Sequence, residues 1–259
     1  LTALDAGPFL SFQPFDWQRR WLELRCKSPW AIGGNRAGKS YVGGYRVASR
    51  LHGYCPVTGQ TWDAQKGWAI GLSYGETENV LKPKIFNFLG RLGIDFKWTE
   101  SKQRVTMPNG SQLWFKSCDQ GAGKFQGEDL DFAWFDEEPP YDVFKETWTR
   151  TIDRRGMVFG TLTPLKGSAW LYRKVYAGNN PDFQVVSMAM TDNKTLSQDE
   201  IRSAASMYGD QDEIDVRIRG IFKLRIGRPV LPTAALQRIH KLHVTAPVWQ
   251  GDLEMATIE

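Results

Sequence analysis

A chain of 259 residues with 41% hydrophobic and 24% charged residues can bury a sizeable core, and its net charge of +4 permits a polyanionic partner without demanding one. No apolar run is long enough to cross a bilayer. Three dispersed cysteines, Cys26, Cys55 and Cys118, with only three histidines, argue against a disulfide scaffold or a zinc site and for a reducing compartment. The start, residues 1–10, has neither Met nor a basic n-region, so it reads as neither a signal peptide nor a translation start and suggests a trimmed or processed fragment.

In chain order, Gln13-Pro14-Phe15-Asp16-Trp17-Gln18 opens a short helix. A glutamine here can read an adenine edge with its paired donor and acceptor, and Gln18 is the stronger candidate of the two. The apolar stretch Trp30-Ala31-Ile32 then runs into Gly33-Gly34-Asn35-Arg36-Ala37-Gly38-Lys39-Ser40, a complete G-x-x-x-x-G-K-[ST] phosphate loop. Its glycines let successive backbone N–H groups curl around phosphates, Lys39 adds a point charge, and Ser40 offers a hydroxyl to Mg²⁺ at a helix N-terminus. The motif points to a nucleotide-binding chain and predicts a helix over 39–51.

A second apolar strand is predicted over 67–72, then a helix over 77–92 interrupted or kinked at Pro83. Residues 104–107 and 112–116 form a hairpin, because Asn109-Gly110 supplies the positive φ angles of a tight reversal. A nearly all-apolar strand over 130–135 ends in Asp136-Glu137-Glu138, followed by a helix over 141–152 and strands over 157–161 and 183–190. Beyond lies a helical appendage. Ser197-Gln198-Asp199-Glu200 is a capping box opening a helix to about Tyr208, and a second helix spans 212–219. The tail over 225–259, with three prolines and weak periodicity, reads as a linker. The alternation predicts an α/β fold with a mainly parallel central sheet flanked by helices.

Acids at the C-terminal tip of a strand stand where an open α/β sheet puts its ligand. Asp136 would hold Mg²⁺ through its water shell, and Glu137 would orient and deprotonate the attacking water, with Glu138 the next candidate base. A glutamate directly after the metal aspartate points to a P-loop NTPase of the additional-strand, catalytic-glutamate (ASCE) type. Thr161 and Thr163, after the next strand, could place hydroxyls beside the γ-phosphate and sense its loss. Among the arginines, Arg36 is positioned to act within its own subunit, and Arg150 could reach a neighbour's nucleotide in a ring. Arg154 and Arg155 are better read as solvated or ion-paired.

Together these residues resemble the large terminase subunit of tailed double-stranded DNA bacteriophages. The resemblance rests on Pro14 to Gln18, the loop Gly33 to Ser40 with its internal arginine, Lys124-Phe125-Gln126-Gly127 ahead of Asp131 to Glu138 with Pro139-Pro140, and Thr161-Leu162-Thr163-Pro164-Leu165-Lys166-Gly167. It implies an ATPase core over 1–190, a small helical lid over 191–224, and a linker over 225–259 leading to an RNase H-like nuclease that the chain does not reach, so nuclease activity is not expected. Gln18 would be the adenine contact, Lys39 and Ser40 the phosphate and Mg²⁺ residues, Asp136 and Glu137 the metal and catalytic acids, and Thr161 to Thr163 the coupling motif. Some relatives carry a trans-acting arginine just before the glycine matching Gly127; here Gln126 stands there with Lys124 nearby, which raises Arg150.

The implied activity is ATP hydrolysis that moves double-stranded DNA into a procapsid. The implied partners are the portal protein, the small terminase subunit and further copies of the chain in a pentameric ring, in the host cell cytoplasm and with no membrane. Lys97, Lys102 and Arg104 are candidate grips on DNA phosphates. Two other readings fit the motifs: a superfamily-two helicase-like DNA-dependent ATPase, and a nucleotide-dependent switch that recruits partners.

Overall fold

Strands buried on both faces need cover on both faces, and here helices supply it. The structure, a computed structural model, describes residues 12–93 and 95–224. The chain start and the predicted linker over 225–259 lie outside the described residues.

The elements follow as α1 (Asp16–Glu23), β1 (Ser28–Gly33), α2 (Lys39–His52), a small hairpin of β2 (Tyr54–Cys55) and β3 (Gln60–Thr61), and β4 (Lys66–Gly71). A helical segment then starts at Tyr74–Glu76, widens into a π turn at Thr77–Leu81 and continues as α3 (Lys82–Arg91). Next come β5 (Lys97–Thr99), β6 (Arg104–Thr106), β7 (Gln112–Ser117), β8 (Phe132–Asp136), α4 (Tyr141–Arg150) and β9 (Met157–Leu162). A helical stretch at Ala169–Leu171 and Tyr172–Tyr176 leads to β10 (Phe183–Met188), α5 (Gln198–Ser206) and α6 (Gln211–Arg217).

The eight-stranded sheet has the order β10-β1-β9-β8-β4-β7-β6-β5. Every pair from β10 to β7 is parallel, and β6 and β5 run antiparallel at one edge. This is the mainly parallel P-loop NTPase sheet expected from the sequence. One strand, β9, lies between β1, which feeds the phosphate loop, and β8, which ends in the acids. Alternation along each strand divides the core. Ala31, Phe132, Trp134 and Phe159 face α1, α2 and α3, packing with Trp21, Val42 and Phe88. Trp30, Ile32, Trp68 and Phe135 face the other layer, packing with Val143 and Phe144 of α4 and with Leu171 and Val175. A small separate cluster of Met190, Ile201 and Ile218, with Leu196 and Ile214 against it, joins α5 to α6.

Local differences from the sequence reading have physical causes. In the 104–117 hairpin only Gly110 takes positive φ. Asn109 instead spends its side chain on the loop and on α2: Oδ1 accepts from Ser111 N–H at 2.9 Å, and Nδ2 donates to Leu51 O at 2.9 Å, closing the helix C-terminus. The irregularity near Pro83 is a π turn directly ahead of it, in keeping with a residue that has no N–H to give. The Ala169–Tyr176 stretch was not expected from the sequence, which shows no clear helical period there.

The seating of α2 is set by Gly43. A Cβ at this position would lie 2.4 Å from the Trp134 ring of β8, so only glycine lets the helix come this close to the strand. Gly44 differs, because its nearest neighbours, Lys84 and Phe88, would stand at an ordinary 3.6 Å. Further along α2, the buried Arg46 guanidinium donates to the carbonyls of Trp21 and Leu24, both at 3.0 Å, and stacks on the Trp21 and Phe159 rings, tying α1 to the same helix. The two neighbouring glycines therefore separate cleanly in mutagenesis. Gly44→Ala should raise unfolding free energy by about 0.5–1 kcal/mol through helix propensity. Gly43→Ala should lower it by about 1–3 kcal/mol through overpacking. Urea denaturation of both variants checks the pair, and equal effects would contradict the proposed seating.

Candidate functional site

The phosphate loop turns from β1 into α2 through backbone that only certain residues tolerate. Gly38 caps α2 at φ 94°, and Arg36 takes φ 58°, a left-handed conformation costing a non-glycine residue about 1–2 kcal/mol. The small size of Gly34 has a reason the motif alone does not reveal: a Cβ there would sit 2.3 Å from Ile218 O. The C-terminal ends of β10 and α6 bond directly to the loop, with Gly34 N–H donating to Met188 O at 3.0 Å and Asn35 N–H to Arg217 O at 2.6 Å. Asn193 Nδ2 donates to Arg36 O at 2.6 Å. Ala37 is fully buried, and Lys39, only 6% exposed, donates from Nζ to Gly34 O at 2.5 Å.

The acids meet this loop from β8. Ser40 Oγ donates to Asp136 Oδ1 at 2.9 Å, and Thr161 Oγ1, from the end of β9, donates to the same oxygen at 2.6 Å. Trp134 Nε1 in turn donates to Thr161 Oγ1 at 2.8 Å, so the tryptophan under Gly43 also fixes the threonine. A hydroxyl and a carboxylate converging in this way are hard oxygen donors of the kind Mg²⁺ accepts, so the residues present fit that ion. Burial pushes the Asp136 carboxyl above its ordinary value, while the Thr161 and Ser40 hydrogen bonds, Lys84 and Lys39 hold it down. Lys84, on α3, escaped the sequence reading because no motif surrounds it; its Nζ donates to Val80 O at 3.4 Å.

Glu137 takes φ 77°, so the tip of β8 stores backbone strain at the residue after the metal-type aspartate. Its N–H donates to Thr161 O at 2.7 Å, and its Oε2 accepts from Thr163 N–H at 3.1 Å. Thr163 Oγ1 donates to Asn35 Oδ1 at 3.0 Å, which returns to the phosphate loop. Burial, then the neighbouring Asp136 charge, pushes the Glu137 carboxyl upward, and Lys39 opposes this. Burial likewise lowers the Lys39 ammonium, against the pull of Glu137 and Asp136. Glu138 is engaged elsewhere: Oε1 accepts from Lys166 N–H at 2.7 Å and Oε2 from Ser168 N–H at 3.0 Å.

The remaining candidates are placed as follows. Gln18 is buried beneath the loop, its Nε2 donating to Gly38 O at 3.2 Å and its Oε1 accepting from Phe15 N–H at 2.9 Å. One amide hydrogen and one lone pair remain for another partner. Gln13 and the Arg36 side chain are exposed. Arg150 is not brought to this chain's own acids: its carbonyl accepts from Leu130 N–H at 2.8 Å, at the end of β8 opposite Asp136. Arg154 pairs with Asp131 at 3.1 Å, and Arg155 is exposed. Lys97 and Lys102 are exposed near the sheet edge, and Arg104 lies over the Trp114 ring. Lys124 and Gln126 are exposed on a loop that Lys116 Nζ holds through Lys124 O at 2.6 Å.

The raised Glu137 carboxyl has a consequence for stability. A group that binds its proton more tightly folded than unfolded costs stability as pH rises from its ordinary value of 4.5 toward its higher folded one. Without nucleotide or divalent cation, Glu137→Gln should therefore melt above the parent at pH 8, with the gap closing as pH falls through 4.5, below which the carboxyl is protonated in both states. Melting curves across this range check it; a gap independent of pH would contradict the burial of that charge.

Comparison with known proteins agrees with this architecture. The family model "Terminase large subunit, T4likevirus-type, N-terminal" matches residues 31–234. The large terminase subunit of Salmonella phage P22 is 25% identical over 260 residues, an alignment covering 84% of this chain and 52% of that protein, so the chain spans about half the length of this curated relative. Among solved structures, the large terminase ATPase domain of Thermus phage P74-26 superposes with a TM-score of 0.66 at 20% identity, covering 83% of this chain and 96% of that one. The large terminase of another thermophilic bacteriophage, solved in complex with ADP, gives 0.67 at 19% identity, covering 81% of this chain and 54% of that one. At these identities the structural likeness speaks for the fold. The family match extends over most of the sequence, and the chain belongs to the phage large terminase family, within its N-terminal region.

Proposed function

We propose that this chain is an ATP-hydrolysing motor domain that drives double-stranded DNA through a portal into a procapsid. One observation carries the reading: the 2.9 Å hydrogen bond from Ser40 to Asp136 joins the phosphate loop and the acids in one site. That the thermophilic-phage relative is solved in complex with ADP supports nucleotide binding here.

In this reading the backbone of Gly33, Gly34, Asn35, Arg36, Ala37 and Gly38 cradles the phosphates, Lys39 adds its charge, and Gln18 uses its remaining hydrogen and lone pair on adenine. Ser40 and Asp136 hold Mg²⁺, which when bound neutralises charge on the phosphate oxygens. Glu137 orients a water and takes its proton as the water oxygen bonds to the γ-phosphorus and the bond to the ADP oxygen breaks. Its burial suits the role, since a carboxylate raised toward neutral pH is a stronger base than a solvated one. Arg36 stabilises the transferred phosphoryl group from within the subunit, and Arg150, far from this chain's own acids, serves a neighbour in a pentameric ring.

Thr161 and Thr163 couple the chemistry to movement. Thr163 touches both Glu137 and Asn35, and Asn35 touches Arg217. A change at the γ-phosphate thereby reaches the lid over 191–224. Lys97, Lys102 and Arg104 grip duplex phosphates independently of sequence. The portal protein and small terminase subunit complete the assembly in the host cell cytoplasm, and residues 225–259 lead on to a nuclease domain.

Glu137→Ala should keep ATP-γ-S binding while turnover falls by about 10²–10⁴ or more, and Lys39→Ala should lose both. Turnover is to be measured with and without duplex DNA; near-native hydrolysis by Glu137→Ala would remove it as the base. Subunits lacking Arg150 mixed with subunits lacking Glu137 should regain activity if Arg150 acts across an interface, and no recovery in the mixture would exclude that role.

A further inference from the structure

Glu138 is the acid that the reading above leaves without a task. It is 3% exposed, next to the strained Glu137, and its two carboxylate oxygens are taken one each by the backbone N–H groups of Lys166 and Ser168. The next residue continues the pattern, with Pro139 O accepting from Trp170 Nε1 at 3.2 Å. The loop held in this way starts at Thr163, whose own N–H meets Glu137. Two consecutive glutamates thus grasp one loop at different points: Glu137 through a single bond near its start, Glu138 through two bonds at its far end. A buried carboxylate accepting two backbone N–H bonds is a stiff anchor, because releasing them would leave its charge unpaired away from water. The single Glu137 bond is much easier to exchange.

We infer that Glu138 is a positioning residue for hydrolysis: it fixes the Thr163–Ser168 loop so that Thr163 N–H always returns to the same place beside Glu137. The inference rests on Glu137 being the base. The two acids then divide the work, Glu137 switching between Thr163 and the attacking water while Glu138 keeps the loop from following it. Without the anchor, the Glu137 carboxylate has no defined resting position, and its geometry toward the water loosens.

Glu138→Gln is the informative variant, since an amide can accept from one of the two N–H groups and must face the other with a donor. Ser168→Pro removes one of the same bonds from the opposite side, at a residue whose φ of −56° suits proline. Amide exchange followed by NMR, on the chain alone and with ATP-γ-S, reads the anchor without requiring turnover. The parent should protect Lys166 and Ser168 in both states; Glu138→Gln should lose about tenfold or more of that protection at both amides, and Ser168→Pro, which has no amide proton at 168, should lose it at Lys166. Turnover at saturating ATP should fall about tenfold or more in both variants, while the ATP-γ-S dissociation constant stays within about threefold. Parent-like protection in Glu138→Gln would overturn the inference. So would parent-like turnover despite lost protection, or affinity falling in step with turnover, which would mark general damage. If instead Glu137→Ala still hydrolyses ATP, the base assignment fails, whereas the exchange result continues to report on Glu138 separately.

Discussion

A phosphate loop and a pair of acids about a hundred residues apart make one site only if the helix behind the loop lies close against the strand that ends in the acids. That closeness rests on Gly43 over the Trp134 ring. Three residues before it in α2, Ser40 reaches Asp136; Trp134 also fixes Thr161, which reaches the same carboxylate. An internal glycine is a poor helix former, costing about 1 kcal/mol against alanine. The helix keeps one here because the contact beneath it allows no Cβ, a local loss of propensity offset by the packing of the whole layer.

Burial then does to the site's charges what it does to any charge removed from water. It raises Asp136 and Glu137 and lowers Lys39, so each group is driven toward its neutral form and restrained by the others. Such mutual restraint makes the site responsive. A triphosphate arriving beside Lys39 would favour the ammonium, and a cation beside Asp136 would favour its carboxylate. Glu137, sharing no direct hydrogen bond with either, keeps the raised basicity suited to proton transfer.

Around this centre, hydrogen bonds reach in two directions. One set runs through Thr163 and Asn35 to Arg217, and through Asn193 to Arg36, linking the acids and the phosphate loop to the segments carrying α5 and α6. The other runs from Glu138 to the loop after β9. Each bond is modest alone, and the physical content lies in their sharing of residues: Asn35 and Thr163 each belong to more than one contact, so neither can shift without consequence for its neighbours.

Much of this could be read from the chain. The phosphate loop, the apolar strand with acids at its tip and the threonines after the next strand are local patterns. Each reflects a chemistry that needs those residue types at fixed spacing, and the alternation of strands and helices set the fold class. What stayed hidden depended on which residues meet across the sheet. Nothing in the order of residues distinguishes Gly43 from Gly44, or shows that Glu138 holds the loop after β9, or marks Lys84 as a neighbour of Asp136. Nor does it show that Gln18 already spends half of its amide on the protein, or that the Arg150 backbone is tied beside the start of β8. Local sequence dictated motif chemistry and backbone preference, because both act over a few residues; the tertiary structure decided the division of labour among similar side chains, because burial and hydrogen-bond partners come from segments distant along the chain.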